Sequence, residues 1–467
     1  MKSNQIDMTQ GSIVGKLIQF SIPFIASSVL QLLFNAADIA VVGRFAGDNS
    51  LAAVGSTTAL VNLLVNFFMG LSVGTNVVAS HYFGAKDSGR IKETVHTAIV
   101  LSIVSGIILT LLGVFFTEGV LRLMQAPEEV LPLSALYLRV FFGGITSTMV
   151  YNFGSALLRA KGDTKRPLII LFGSGVLNVI LNLIFVICFK MDVAGVALAT
   201  VISQTIAAVL VIVLLVREKG DFHLNFRKLH ANSYILGRII KIGLPAGFQS
   251  VMFAFSNIII QSSVNSFGAI VVAGNSAAST IEGFIYTSMN GFSQCALTFC
   301  SQNMGAKKYD RISRVVGSTL VINFMLGLVL GWGAVFFGRP LLSIFTTGPE
   351  VIDAGMYRLW CICTTYCLCG LMDGMSNCIR GIGHSVTPVV TTLAGACLFR
   401  IIWLFTIFQM PQFHNPFMIF VTYPISWILT FVANIIFYKK YIKEIKNRSQ
   451  KIISAKDFAT NSRSAAR

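Results

Sequence analysis

Charged and amide side chains interrupt the long apolar runs of this sequence at a few positions, and each needs a partner or a task. Asp38 stands near the end of the first run, with Asn35 one turn before it on the same helical face. A carboxyl shielded from water can take up and release a proton; an interfacial aspartate capping the next loop, with Arg44 nearby, is the plainer reading. Asn178 and Asn182 are spaced i, i+4 on one face, as hydrogen-bonding glue between helices would also require. Glu282, Asp373 and Arg400 are charges within the second half of the chain, each costing about 3 kcal/mol or more to hold in lipid. Arg400 cannot shed its charge, so a carboxylate partner is expected. Helix rise puts Asp373 about 10 Å and Arg400 about 18 Å from the same ends of their helices, which favours Asp373 and leaves Glu282 as the rival. Such a pair would serve either as a lock between helices or as part of a binding site.

The elements that carry these residues are membrane spans. Of 467 residues, 54% are hydrophobic and 12% charged, and mean hydropathy is +0.74. A soluble domain this apolar could not cover itself with polar surface. The apolar segments fall at 16–41, 51–79, 94–117, 132–158, 167–189, 193–216, 236–265, 272–300, 313–337, 354–379, 388–410 and 414–438. A backbone facing lipid must satisfy its own hydrogen bonds, so these predict an all-α polytopic protein of twelve transmembrane helices. The first segment is too long for a signal-peptide core and lacks a cleavage pattern, so no cleavable signal is expected. With the N-terminus inside, 29 of the 36 Lys and Arg fall on the inner loops and tail. Arg44, Arg122, Arg139, Lys190, Arg339 and Arg358 face the other side, a split that predicts both termini in the cytoplasm. The net charge of +17 is thus spread over short loops, which excludes a nucleic-acid partner. The nine Cys lie in or at the ends of spans without CxxC or His partners, and read as structural thiols. No GxxxxGK[ST] loop is present, which argues against an ATP-driven pump.

The chain repeats itself. FSIP (20–23) answers IGLP (242–245), FGAKDSGR (83–90) answers MGAKKYDR (304–311), and LLRAKGDTKRP (157–167) answers CIRGIGHSVTP (378–388). All three share an offset of 221 or 222, as do Gly70 and Gly291. An even number of helices per half predicts two lobes in one orientation, related by a pseudo-two-fold along the membrane normal, with a cleft between them. The expected organisation is an N-lobe over 1–216, a linker over 217–235, a C-lobe over 236–438 and a basic tail over 439–467, disordered or surface-lying. The two Arg-x-x-Gly loops read as turns before proline-started helices rather than as substrate contacts.

These residues resemble the multidrug and toxic compound extrusion (MATE) transporters over the chain to about residue 440. The carriers are Pro23, the Asn35–Asp38 and Val42–Arg44 run, the Gly-Ala-Lys loops and the Arg-x-x-Gly loops. The stretches 372–385 and 400–403 look most like the bacterial DinF/YoeA-type subgroup. The resemblance implies a coupling-ion carboxylate at Asp38, with Asn35, Asn178, Asn182 and Thr200 completing an N-lobe cluster. Similar proteins carry an aspartate where Asn182 stands, so a two-carboxylate Na⁺ site is in doubt. Some members carry a glutamate in the seventh span; 249–253 has no acid here. Phe67, Phe68, Met69, Phe253, Phe255, Met289 and Phe292 could line a cleft for flat amphiphiles, though lipid-facing packing explains most of them.

The expectation is therefore a bacterial plasma-membrane antiporter, not an enzyme, exchanging organic cations or amphiphilic drugs or metabolites for H⁺ or Na⁺. It is expected to act as a monomer in the lipid bilayer, without metal or cofactor. The rival reading is a flippase for a lipid-linked precursor, whose cleft would be more strongly cationic than the few basic residues inside these spans suggest.

Overall fold

In lipid a backbone amide has no water to turn to, so an apolar chain closes its hydrogen bonds within itself as helix. The computed structural model describes residues 6–123 and 127–465, and among them the regular elements are all helical. Numbered by span, α1 is Ile13–Phe45, α2 Asp48–Gly84, α3 Ser88–Phe115, α5 Lys165–Cys188 and α6 Asp192–Arg217. The second set is α7 Ser233–Asn265, α8 Ala269–Gly305, α9 Tyr309–Phe336, α11 Val386–Gln409 and α12 Thr422–Ala465. α4 is a bent pair, Leu131–Gly143 and Ile145–Ala160, turned by 46° at Gly144; α10 is likewise broken into Pro349–Cys363 and Tyr366–Gly381. Short helices over Thr117–Leu123, Gly338–Ser343 and Pro416–Phe420 cap the connections.

Nine of the twelve, and α4 counted as one, are long and apolar enough among the described residues to cross a membrane on composition alone. α8 and α10 are not: α10 is interrupted into pieces of 15 and 16 residues, and both spans carry polar side chains inward. Asn275, Glu282, Ser293, Thr298 and Gln302 on α8, and Arg358, Ser376 and Asn377 on α10, are buried inside the protein. The two spans carry their polar residues inward because they line the interior.

The duplication is visible in the backbone. α1 and α7 have 33 residues each, α2 and α8 37, α3 and α9 28. Positive φ recurs in register: Gly47 +87° and Gly268 +86°, Lys86 +57° and Lys307 +58°, Gly162 +98° and Gly383 +97°. Gly383 has open space where a side chain would go, so the left-handed backbone alone accounts for glycine there. The repeat breaks in the fifth span of each half. A π turn ends α5 at Ile184–Cys188, whereas in α11 it falls earlier, at Leu393–Leu398, just before Arg400.

The two halves meet over the end of the bundle that carries the termini. Gly70 on α2 lies so close to α7 that a Cβ would sit 2.2 Å from the Gly247 nitrogen. Further along, Asn76 donates to Thr298 Oγ1 (3.1 Å), Ser301 donates to the Val77 carbonyl (2.6 Å), and Phe20 packs edge-on against Phe299. The N-terminal segment seals this end: Lys308 and Arg311 donate to the carbonyls of Thr9 and Met8.

Two expectations change here. The 217–235 stretch is more than a spacer, since Phe222 and Leu224 are fully buried and Leu224 hydrogen-bonds back to Leu215. The tail read as disordered or surface-lying from Lys439 continues α12 as helix, with Tyr441 bonded to Thr387 (2.6 Å) and Lys446 to Asp310 (2.6 Å). Lys2 and Arg467, counted among the inner charges, lie outside the described residues.

Candidate functional site

The N-lobe gathers its predicted polar residues from three helices. Asn182 on α5 donates to the Asp38 carboxylate on α1 and faces Asn178 Oδ1 at 3.4 Å. Asn178 donates to Thr200 Oγ1 on α6 (3.3 Å), which in turn donates to the Val196 carbonyl (3.0 Å). The i, i+4 spacing puts both amides on the face of α5 that meets α1 and α6, so one stripe bridges the two. Asn178 and Asn182 are buried, and Asn182 Oδ1 has no partner among the described residues. The hydrogen-bond partner of the Asp38 side chain is a neutral amide, and no ion pair reaches it among the described residues. Asn35 is not part of it: it is exposed on α1 and makes no hydrogen bond among the described residues.

The C-lobe is built differently. Glu282 on α8 accepts both Arg358 Nε (2.8 Å) and Nη2 (2.7 Å) from α10, a bidentate pair with both side chains 7% exposed. Arg358 Nη1 also donates to Asn275 Oδ1 (2.5 Å), and its guanidinium lies over Phe420 and Tyr423. Arg400 is paired with neither expected acid. Its Nε and Nη2 donate to Ser426 Oγ (2.9 and 2.8 Å), and it stacks 4.1 Å from the Tyr423 ring centroid on α12. A hydroxyl and an aromatic face take the place of the carboxylate. Asp373 instead accepts from Asn290 (3.1 Å) and Asn377 (3.2 Å).

Arg358 was read as an outer-loop arginine because it lies near the start of its apolar segment. Nothing in the sequence links it to Glu282, 76 positions away; only the packing of α10 on α8 does. The Arg-x-x-Gly arginines are also more than turn residues. Arg380 donates to Asn377 (3.0 Å) and to Gln249 on α7 (2.7 Å), and Arg159 lies over the Phe24 ring.

Between the lobes lies a cavity of about 730 Å³, floored by the seam. Its lining includes Phe24, Asn76, Arg159, Gln249, Phe253, Asn290, Asp373, Arg380, Arg400 and Trp427. Of the predicted aromatic and Met cleft, Met69 and Phe253 reach it, whereas Phe255 is exposed and Met289 is buried in the C-lobe core. Among the described residues no His, Cys, Asp and Glu are grouped to hold a metal. Seven of the nine thiols are buried; Cys188 is exposed and Cys361 half-buried.

A cavity between two duplicated helical lobes is a transporter's architecture. The sequence model of the MatE family matches this chain twice, over residues 23–184 and 245–406, one match in each lobe. The chain belongs to the MatE family. This MatE protein is 29% identical to the probable multidrug resistance protein YoeA of Bacillus subtilis, over 80% of this chain and 82% of that one. It is 24% identical to the multidrug export protein MepA of Staphylococcus aureus, over 86% and 90%. Its fold matches an outward-facing multidrug resistance MATE transporter of the MOP superfamily with a TM-score of 0.88 at 20% identity, over 96% and 100%. The protein is thus a multi-pass transporter of twelve helices in two lobes, as the hydropathy pattern predicted, and not an enzyme.

Proposed function

We propose that this MatE protein is a proton-coupled antiporter of the bacterial plasma membrane, with both termini cytoplasmic, that exports small amphiphilic molecules by alternating access. The observation that carries the coupling step is the environment of Asp38. Its hydrogen-bond partner is an amide, and no Lys or Arg lies within ion-pair distance of it among the described residues. A carboxyl held by neutral groups can gain or lose a proton without stranding a counter-charge, whereas Glu282 cannot. Proton arrival at Asp38 changes what Asn182 can donate to, and the Asn182–Asn178–Thr200 chain carries that change from α1 to α5 and α6. The lobes are closed at the end bearing the termini, so the cavity in this state serves the opposite face.

MepA is named for multidrug export and YoeA for probable multidrug resistance, and the aromatic and amide lining of the cavity suits varied amphiphiles. The single carboxylate favours H⁺ over Na⁺. The test is efflux in inverted vesicles. Asp38→Asn is expected to abolish efflux driven by a pH gradient at normal expression. Undiminished efflux, or efflux that follows an imposed Na⁺ gradient alone, refutes the proton role.

A further inference from the structure

We infer that the cavity takes an amphiphile with an anionic head, a carboxylate or phosphate, and that Arg380 is its principal contact. The inference rests on reading the cavity as the transport site. Four charged side chains line it, Arg159, Arg380, Arg400 and Asp373, an excess of two positive charges. The basic residues of the other lining positions are none, and the locked acid Glu282 is not among them. No guanidinium of the three has a carboxylate within ion-pair distance among the described residues. Arg159 rests on a ring, Arg400 on a hydroxyl and a ring, and Arg380 on two amide oxygens. Arg380 is only 7% exposed, and its Nε has no hydrogen-bond partner among the described residues. A guanidinium has five donors in a fork that fits an oxyanion, and this one is under-used inside a water-poor cleft where charge–charge attraction is strong.

The one acid does not reverse the balance. Asp373 sits two turns from Arg380 on the same face of α10, about 10 Å along the axis, with both oxygens already engaged by Asn290 and Asn377. An organic cation entering here meets more like charge than opposite charge. An anion meets three guanidiniums with no carboxylate in direct contact among the described residues, Arg380 reaching Asp373 only through the Asn377 amide, and the rings of Phe253, Tyr286 and Trp427 offer its apolar part a wall. The cation selectivity implied by resemblance is therefore replaced by anion selectivity.

The experiment is equilibrium binding to the full chain in phosphatidylcholine nanodiscs, read by fluorescence anisotropy, with two probes that share a xanthene core. Carboxyfluorescein is the anion and rhodamine 6G the cation. Carboxyfluorescein is expected to bind at least about tenfold tighter, and Arg380→Gln to weaken it about tenfold, the loss of one charge-assisted bond. Arg380→Lys should recover part of that loss. Gln249→Glu supplies Arg380 with an internal carboxylate and should weaken the anion similarly with the arginine still present, which covers misfolding of Arg380→Gln. Arg339→Gln, on the exposed surface, should change nothing. Competition identifies the source of the head group: displacement by laurate or dodecyl phosphate points to a soluble amphiphile, and displacement only by phosphatidylglycerol added to the disc points to a lipid. Tighter binding of rhodamine 6G, binding of neither probe, or indifference of carboxyfluorescein to both Arg380→Gln and Gln249→Glu overturns the inference. Because no gradient is present, the result stands apart from coupling: intact anion binding with efflux undiminished in Asp38→Asn would sink the coupling and spare this site.

Discussion

The two lobes share a scaffold to within a degree or two of φ at their tightest turns, yet the C-lobe adds to its amide-held acid, Asp373, a second acid, Glu282, locked by an arginine. In the N-lobe an amide donates to Asp38; in the C-lobe a guanidinium clamps Glu282 with two bonds. Both members of the lock are missing from the N-lobe: Glu282 on α8 has Val61 as its register mate on α2. Arg358 on α10 has Tyr137 as its register mate on α4, 221 positions earlier, so the N-lobe has no arginine where the C-lobe has its lock. Duplication supplied the frame, and a handful of substitutions left one lobe with an amide-held carboxylate and gave the other an arginine-locked one.

The largest expected effect is breaking that lock. Arg358→Ala strands Glu282 in a dry interior and should cost about 3–5 kcal/mol, seen as a lower unfolding temperature in detergent. Adding Glu282→Leu should recover most of it, since a missing pair is far cheaper than a widowed charge. The same cycle run on Arg400→Ala and Asp373→Ala should be additive within about 0.5 kcal/mol, because Arg400 leans on Ser426 and Tyr423 instead. Strong coupling between Arg400 and Asp373 would contradict the observed arrangement.

The seam offers a second comparison. Gly70 and Gly291 are register mates, but a methyl at Gly70 meets the backbone of Gly247, whereas one at Gly291 meets only the Ile25 side chain. Backbone cannot yield, whereas the Ile25 side chain, met at Cγ1 (2.2 Å), can change rotamer at a cost. Gly70→Ala should therefore destabilise the closed end by about 1–3 kcal/mol, and Gly291→Ala by clearly less. Equal losses in thermal unfolding would mean that the seam adjusts as a whole.

Asp38→Asn sharpens the contrast from the other side. It exchanges one neutral-partnered acceptor for another, so stability should move by no more than about 1 kcal/mol while transport is lost. A loss as large as that of Arg358→Ala would make Asp38 a lock like Glu282 and remove the distinction between the lobes.

How much of this was legible in the sequence follows from the range of the forces involved. Spans, duplication and the orientation of halves are written in local hydropathy and in motifs 221 residues apart. The Asn178–Asn182 stripe was legible because its spacing is a property of one helix. The partner of Arg400 was not: depth along a helix fixes height in the membrane but not the rotation of α11, which the π turn at Leu393–Leu398 changes by one inserted residue. Arg358 was hidden for the same reason. Its ligand lies on another helix, and a charge near the start of an apolar run reads as a loop residue unless that contact is known.

The smallest effect concerns the loops at the end that carries the termini, where the lobes again differ. In the N-lobe, Glu218 accepts Lys161 (2.5 Å) and Arg166 (3.3 Å), tying the α4–α5 turn to the end of α6. The matching C-lobe turn has Ile382 and Thr387 at those register positions, and its contacts include Thr387 on Tyr441 and His384 stacked on the Tyr441 ring at 3.8 Å. Burial pushes the Glu218 carboxyl up, but the Lys161 hydrogen bond and the charges of Lys161 and Arg166 outweigh it and leave it below the ordinary glutamate value. A group depressed in the folded state adds stability above its unfolded value and loses it as pH falls through the folded one. The N-lobe turn should therefore loosen in acid as Glu218 takes up a proton. Amide protection factors, with the intrinsic slowing of exchange in acid divided out, should fall around 161–166 as pH is lowered through and below the glutamate range, and further than around 382–387. Glu218→Gln should remove that acid limb at a cost of about 1 kcal/mol at neutral pH, because the Lys161 and Glu218 side chains are only 9% and 13% exposed but the glutamine oxygen still accepts a hydrogen bond. If both turns loosen together, the charge asymmetry between the lobes has no mechanical consequence at this end of the molecule.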